Sequence, residues 1–210
     1  MHRRDLLAVL AGTGPVFMAG CLDEENSDST RTDGSETAVN GAICPDDDPE
    51  SVPEPLQCEK DEFERLEAKY DPDEVYWGDA EILALQIDAV DYEYGDSLEL
   101  TVTNTGAEPE EINDYRWFNF EIYTESGWQD VRGDTEPGEP RAFPDDGTSH
   151  DPGEEWNWEI KLTEAGIEQQ SFFPESTQVC PELQSGRYRF VFANQFGAEE
   201  AIAVAFDVVV

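Results

Sequence analysis

From residue 80 onward apolar and polar positions alternate with a period of two, the spacing that sends successive side chains to opposite faces of a strand. Ile82 to Val90 and Ser97 to Asn104 read as strands, the second closed by the turn Asn104-Thr105-Gly106. Tyr115 to Thr124 sets Trp117, Asn119 and Glu121 on one face and Phe118, Phe120 and Ile122 on the other. Ser126-Gly127 turns into a strand at Trp128 to Arg132, and a Pro- and Asp-rich connection runs from Gly133 to Gly153. Glu155 to Leu162 alternates again, with Trp156, Trp158 and Ile160 together. The last strands are Arg187 to Ala193 and Ala201 to Val209. Short strands separated by turn signals predict an all-β fold, an antiparallel β-sandwich of about seven strands over residues 80–210.

Upstream the pattern changes. Phe63, Leu66 and Tyr70 recur at helical spacing, so residues 59–70 read as a short helix that Asp71-Pro72 ends. It belongs to an N-terminal extension, residues 44–79, packed on the sandwich. Residues 21–43 are charged and poor in apolar side chains, cannot offset their own ordering entropy, and read as a disordered acidic tether. An apolar run covers Leu6 to Met18, with Arg3-Arg4 before it and Met18-Ala19-Gly20-Cys21 at its end. A basic start, a short apolar core and small residues before a cut site make residues 1–20 a secretory signal peptide. Such a core is too short to span a bilayer, which takes about 20 residues. Arg3 and Arg4 resemble the twin-arginine export signal of the pathway for folded cargo. The tetrad ending in Cys21 resembles a lipobox. That resemblance implies lipidation of the Cys21 thiol and a membrane anchor at the outer face of the cytoplasmic membrane.

Charge narrows the partners. Fifty acidic residues stand against 12 basic ones, for a net charge of −38, and loss of the leader makes the mature chain slightly more negative. Nucleic acid is excluded, because its binding depends on Lys and Arg neutralising phosphates. Anionic headgroups would repel the same surface, so any membrane attachment rests on the lipid. At low ionic strength this charge opposes compaction, whereas molar salt cuts the Debye length to about 3 Å. Few lysines, carboxylates spread through every segment and a twin-arginine signal resemble the secreted proteins of extremely halophilic archaea.

With Cys21 lipidated, Cys44, Cys58 and Cys180 remain, enough for one disulfide and one leftover thiol. Export to an oxidising surface favours a bridge. Cys44 or Cys58 to Cys180 would pin the extension onto the sandwich; Cys44 to Cys58 would close a local Pro- and Asp-rich loop. All three pairings stay open, a bridge to Cys180 being the expected one.

The most specific fold signal is Leu183 to Phe190. Gly186 permits a tight turn into the strand, and Tyr188 stands where a tyrosine corner ties its hydroxyl to upstream backbone. Together with Leu98 to Gly106, Trp128 to Val131, Pro152-Gly153-Glu154 and Trp158, this run resembles the immunoglobulin-like domains of bacterial secreted lipoproteins. It is also similar to the sandwich of the bacterial intracellular proteinase inhibitor group. The resemblance implies an immunoglobulin-like sandwich over residues 80–210; the reactive segment of the inhibitor group finds no matching residues here.

Candidate chemistry is sparse. His150 is the one histidine beyond the leader, sits in the 133–153 connection, and reads as a solvent-exposed loop residue. Carboxylate pairs carry no information in so acidic a chain. Asp46-Asp47-Asp48 and Asp145-Asp146-Gly147 do not match the twelve-residue calcium loop and read as solvated surface. Five tryptophans belong mostly to core and sheet faces, with Trp156 and Trp158 the two most suggestive of a surface platform. The expectation is a non-enzymatic protein without cofactor or metal. It would present a binding or structural module to an envelope partner. The alternatives are a soluble-ligand or ion-binding accessory protein, or a protease inhibitor.

Overall fold

The computed structural model describes residues 48–68, 70–72, 74–112, 115–139, 147–193 and 201–210. Its strands are β1 (Glu64–Arg65), β2 (Val75–Trp77), β3 (Leu83–Ile87), β4 (Asp91–Glu93), β5 (Ser97–Asn104), β6 (Glu110–Ile112) and β7 (Phe118–Thr124). Then come β8 (Gly127–Asp130), β9 (Arg132–Asp134), β10 (Thr148–His150) and β11 (Glu155–Lys161). One helix, α1 (Glu164–Gln169), precedes β12 (Thr177–Val179), β13 (Gly186–Phe192) and β14 (Ala201–Val209).

Two sheets face each other. The smaller runs β11-β5-β3 and is antiparallel throughout; the larger runs β2-β14-β13-β7-β8, with β4 also on β14. Both β2 and β4 join β14 in parallel, while the other pairings of that sheet are antiparallel. Alternation explains the core between them. Leu98, Leu100, Val102, Trp158 and Ile160 point inward from the smaller sheet, and Phe118, Phe120, Ile122, Tyr188, Phe190, Phe192, Val204 and Phe206 from the larger. The Trp158 ring bridges the sheets, 5.3 Å from Phe190 and 5.4 Å from Phe192. Each such side chain contributes about 1.5–3 kcal/mol by leaving water.

The larger sheet is buried on its second face as well. Every residue of β13 is buried, as are Ala201, Ala203 and Ala205 on β14. Small alanines on that side let the N-terminal segment approach: Tyr70 shares a cluster with Val191, Ala193, Ala201 and Ala203, with Val75 and Trp77 packed against it. Residues 64–77 thus complete the fold through β1 and β2.

The helix expected over residues 59–70 is not there. Glu59 to Ala68 turns at Asp61-Glu62, where Glu62 takes φ 65°, and its only regular piece is β1, paired to β9. Long-range bonds override the helical spacing: Leu66 N–H donates to the Arg132 carbonyl at 3.1 Å, and the Arg65 guanidinium donates to the carbonyls of Asp130 and Cys180 at 2.6 and 2.8 Å. Phe63 still packs on the fold. Its ring lies against Gly133, where any Cβ would collide with it.

The observed helix instead follows β11. Thr163 caps it by accepting from Gly166 N–H at 3.1 Å, and Ile167 is its buried anchor. A side chain at Gly166 would strike the Lys161 carbonyl, so the turn into α1 needs glycine.

Candidate binding cavity and its buried ion pairs

At the start of β7 the chain leaves a cavity of about 310 Å³ between β7, β9 and the turn after α1. Trp117, Phe118, Phe172 and Phe173 wall it with rings, and Leu66 closes one side. Trp117 and Phe172 meet edge to face at 4.8 Å, and Phe172 lies 6.2 Å from Phe173. Arg116 places its guanidinium 4.6 Å from the centre of the Phe172 ring. Glu67, Asp134 and Glu139 bring carboxylates to the same lining.

Arg132 forms the floor. Its Nε donates to Asp130 Oδ1 at 3.0 Å and its Nη2 to Asp130 Oδ2 at 2.8 Å, both side chains being at most 3% exposed. Nη2 also donates to the Phe118 carbonyl at 2.6 Å, and the guanidinium stacks 4.4 Å from the Phe118 ring. Asp130 in turn accepts from Asn119 Nδ2 and Phe120 N–H. The floor is therefore rigid and charge-neutral.

A second pair lies on the covered face of the larger sheet. Arg189 Nε donates to Glu121 Oε2 at 2.7 Å, Tyr70 hydroxyl donates to Glu121 Oε1 at 2.7 Å, and Arg189 Nη2 donates to the Tyr70 hydroxyl oxygen at 2.8 Å. Burial raises the Glu121 carboxyl above its ordinary value, with Arg189 opposing and Asp130 adding to the rise. Burial and the neighbouring Glu121 likewise push the Tyr70 hydroxyl upward. Arg187 forms a third pair, bidentate to Asp207 at 2.9 Å for both bonds. Each of these three arginines is buried and paired with its own acid, so the net negative charge is left to the rest of the chain.

The residues singled out in the sequence fall in different places. Cys58 and Cys180 form a disulfide, 122 positions apart. Gly186 opens β13, and the Tyr188 hydroxyl donates to the Gln184 carbonyl at 2.6 Å and accepts from Gln184 N–H at 3.1 Å. Arg3, Arg4, Cys21 and Cys44 lie outside the described residues, as do Asp46, Asp47, Asp145 and Asp146. Among the described residues no group of three or more His, Cys, Asp or Glu could hold a metal ion, and no helix is long and apolar enough to cross a membrane.

His150 corrects its expectation. It is buried at 3% exposure on β10, its ring 5.3 Å from Trp156, and neither ring nitrogen has a hydrogen-bond partner among the described residues. The β6–β10 ladder and the Asn104 amide, which donates to the His150 carbonyl at 2.9 Å, draw it inward. Trp158 is no surface platform either. It is core, and of the two only Trp156 is half-buried.

Sequence reasoning does not find the cavity. Its rings come from two stretches more than 50 residues apart, and Phe172-Phe173 lies outside every predicted strand. The available signal is arginine at strand positions 132, 187 and 189 in a chain with so few bases. Set against models of known protein families and against curated proteins, the chain finds no match in either.

Proposed function

We propose that this chain is an exported surface lipoprotein, held by lipid on Cys21, whose sandwich is a non-enzymatic binding module of the cell envelope. The observation that carries the reading is the Cys58–Cys180 disulfide, a bond suited to an oxidising exterior and rare in the cytosol. It agrees with the leader at Arg3-Arg4 and with an acidic exterior suited to molar salt.

The module is read as immunoglobulin-like. Support comes from the strand order, in which β3, β5 and β11 stand as strands A, B and E. In the facing sheet β4, β14, β13, β7 and β8 stand as A′, G, F, C and C′, with the first strand parallel to the last. The Tyr188 lock at the start of β13 is where a tyrosine corner belongs. A second reading, a small-ligand accessory protein, is favoured by the aromatic cavity.

Replacing Cys21 by Ser tests the anchor: the protein should move from membranes to the medium, and unchanged membrane retention would refute it. Crosslinking on intact cells tests the module. A reproducible envelope neighbour supports it, and capture of nothing above a tether-only control counts against it.

A further inference from the structure

We propose that the cavity beside β7 is a binding site for a small organic cation with a ring-sized apolar body, an arylalkylammonium being the simplest example. The proposal rests on the reading of the chain as a binding protein, but not on the lipid anchor.

Volume sets the size. About 310 Å³ is at the small end of ligand pockets and suits one ring with a short side chain. The walls set the body: Trp117, Phe172 and Phe173 offer rings, and an apolar group placed among them leaves water.

Charge sets the head group. The cavity's rings already receive cations from within the chain, Arg116 over Phe172 at 4.6 Å and Arg132 over Phe118 at 4.4 Å. Arg132 offers little to an anion, because Asp130 holds its Nε and Nη2 and the Phe118 carbonyl takes a further bond from Nη2. Of the acidic lining residues Glu67 and Glu139 are exposed, while Asp134 is partly buried with its Oδ1 accepting from the Glu136 N–H; Arg116 is the opposing charge of the lining and lies over Phe172. An ammonium head at the mouth meets these acids while its body fills the rings. The field of a chain at −38 adds to this preference by gathering cations and repelling anions.

The experiment compares three probes of one shape on the purified full chain: phenethylammonium, 2-phenylethanol and phenylacetate. Affinity is read by titration calorimetry and by tryptophan fluorescence. Phenethylammonium should bind about tenfold tighter than the alcohol, and phenylacetate weakest of the three. Glu67→Gln with Glu139→Gln should remove most of that tenfold preference and leave the alcohol's affinity unchanged. Phe172→Ala should weaken both. Equal affinity for ammonium and alcohol, a preference for phenylacetate, or no binding by any probe at millimolar concentration would overturn the proposal. Should Phe172→Ala fail to fold, the carboxylate variants, placed on the mouth, still decide it. Release of Cys21→Ser to the medium is independent of all these readings, so the anchor and the ligand class fail separately.

Discussion

Arg189 and Glu121 meet at 2.7 Å across neighbouring strands of the larger sheet, with side chains only 6% and 4% exposed. Arg189 also lies 4.4 Å from the centre of the Trp128 ring, and Tyr70 closes the triangle. Removing one member leaves the other charged and buried, at a cost of about 3–5 kcal/mol. Glu121→Leu or Arg189→Leu should each cost that much. The double variant with Tyr70→Phe should recover most of the loss. Denaturant unfolding at fixed high salt checks this, and additive costs would show that the pair is not coupled.

Glu164 supplies a pH test. Partial burial raises its carboxyl, but hydrogen bonds from the Tyr94 hydroxyl and Leu183 N–H outweigh that and hold it below the usual 4.5. A depressed carboxyl adds stability above its unfolded value and loses it as pH falls through the folded one. Glu164→Gln should therefore lower Tm at neutral pH, and the gap to the parent should close with acidification below 4.5. Thermal scans across that range decide it; a gap that widens in acid would contradict the assignment.

Salt should stabilise the whole molecule. Carboxylates crowd the exterior while Arg132, Arg187 and Arg189 are tied up internally. Raising KCl from about 0.2 M to about 3 M shortens screening from roughly a carboxylate–carboxylate spacing to a few ångströms. Tm should climb by several degrees or more. A flat profile would mean that self-repulsion is not the term being screened.

Breaking the disulfide frees a long loop. With 122 positions between the cysteines, Cys58→Ser with Cys180→Ser should cost about 4–5 kcal/mol on the chain-entropy account. Equilibrium unfolding of parent and variant gives the number directly. A loss under about 1 kcal/mol would mean that noncovalent contacts of residues 59–77 already hold the segment down.

His150 is a site for improvement. Two buried ring nitrogens without partners among the described residues cost about 1–3 kcal/mol. His150→Phe beside Trp156 should leave the fold intact and raise Tm. A lower Tm would show that the imidazole is a better fit to its surroundings than a plain ring.

Much of the sandwich is legible in the chain, for a physical reason that particular strands make clear. Ser97 to Asn104 and Ala201 to Val209 stand where the alternation places them, since an inward face of large apolar groups survives whatever covers the other side. Arg187 and Arg189 mislead because a strand buried on both faces can alternate polar and apolar and still have no exposed side. What covers Arg189, namely Tyr70 and Trp77, is more than 100 residues away. Phe63, Leu66 and Tyr70 show the same limit. Three apolar positions fit a helix stripe and an extended chain equally, and the choice is made by Arg65 reaching the carbonyl of Cys180, 115 positions on. The cavity is less legible still, being a space between Trp117 and Phe172 and not a property of either.

The Cys58–Cys180 link also decides how force travels. A tug entering from the N-terminal side reaches Cys58 and crosses its sulfur to Cys180, whose N–H is fastened to the Val131 carbonyl and whose preceding strand, β12, is laced to β9. β9 carries Arg132 and Asp134, floor and rim of the cavity. A load on Cys58 and an occupant of the cavity would thus act on the same short strut, β9, while Pro53 and Leu56, bonded to the Glu125 N–H and the Gln129 side chain, take up part of the pull before it reaches Cys58. Strain at the Cys58–Cys180 link is thereby felt at the cavity wall through β9.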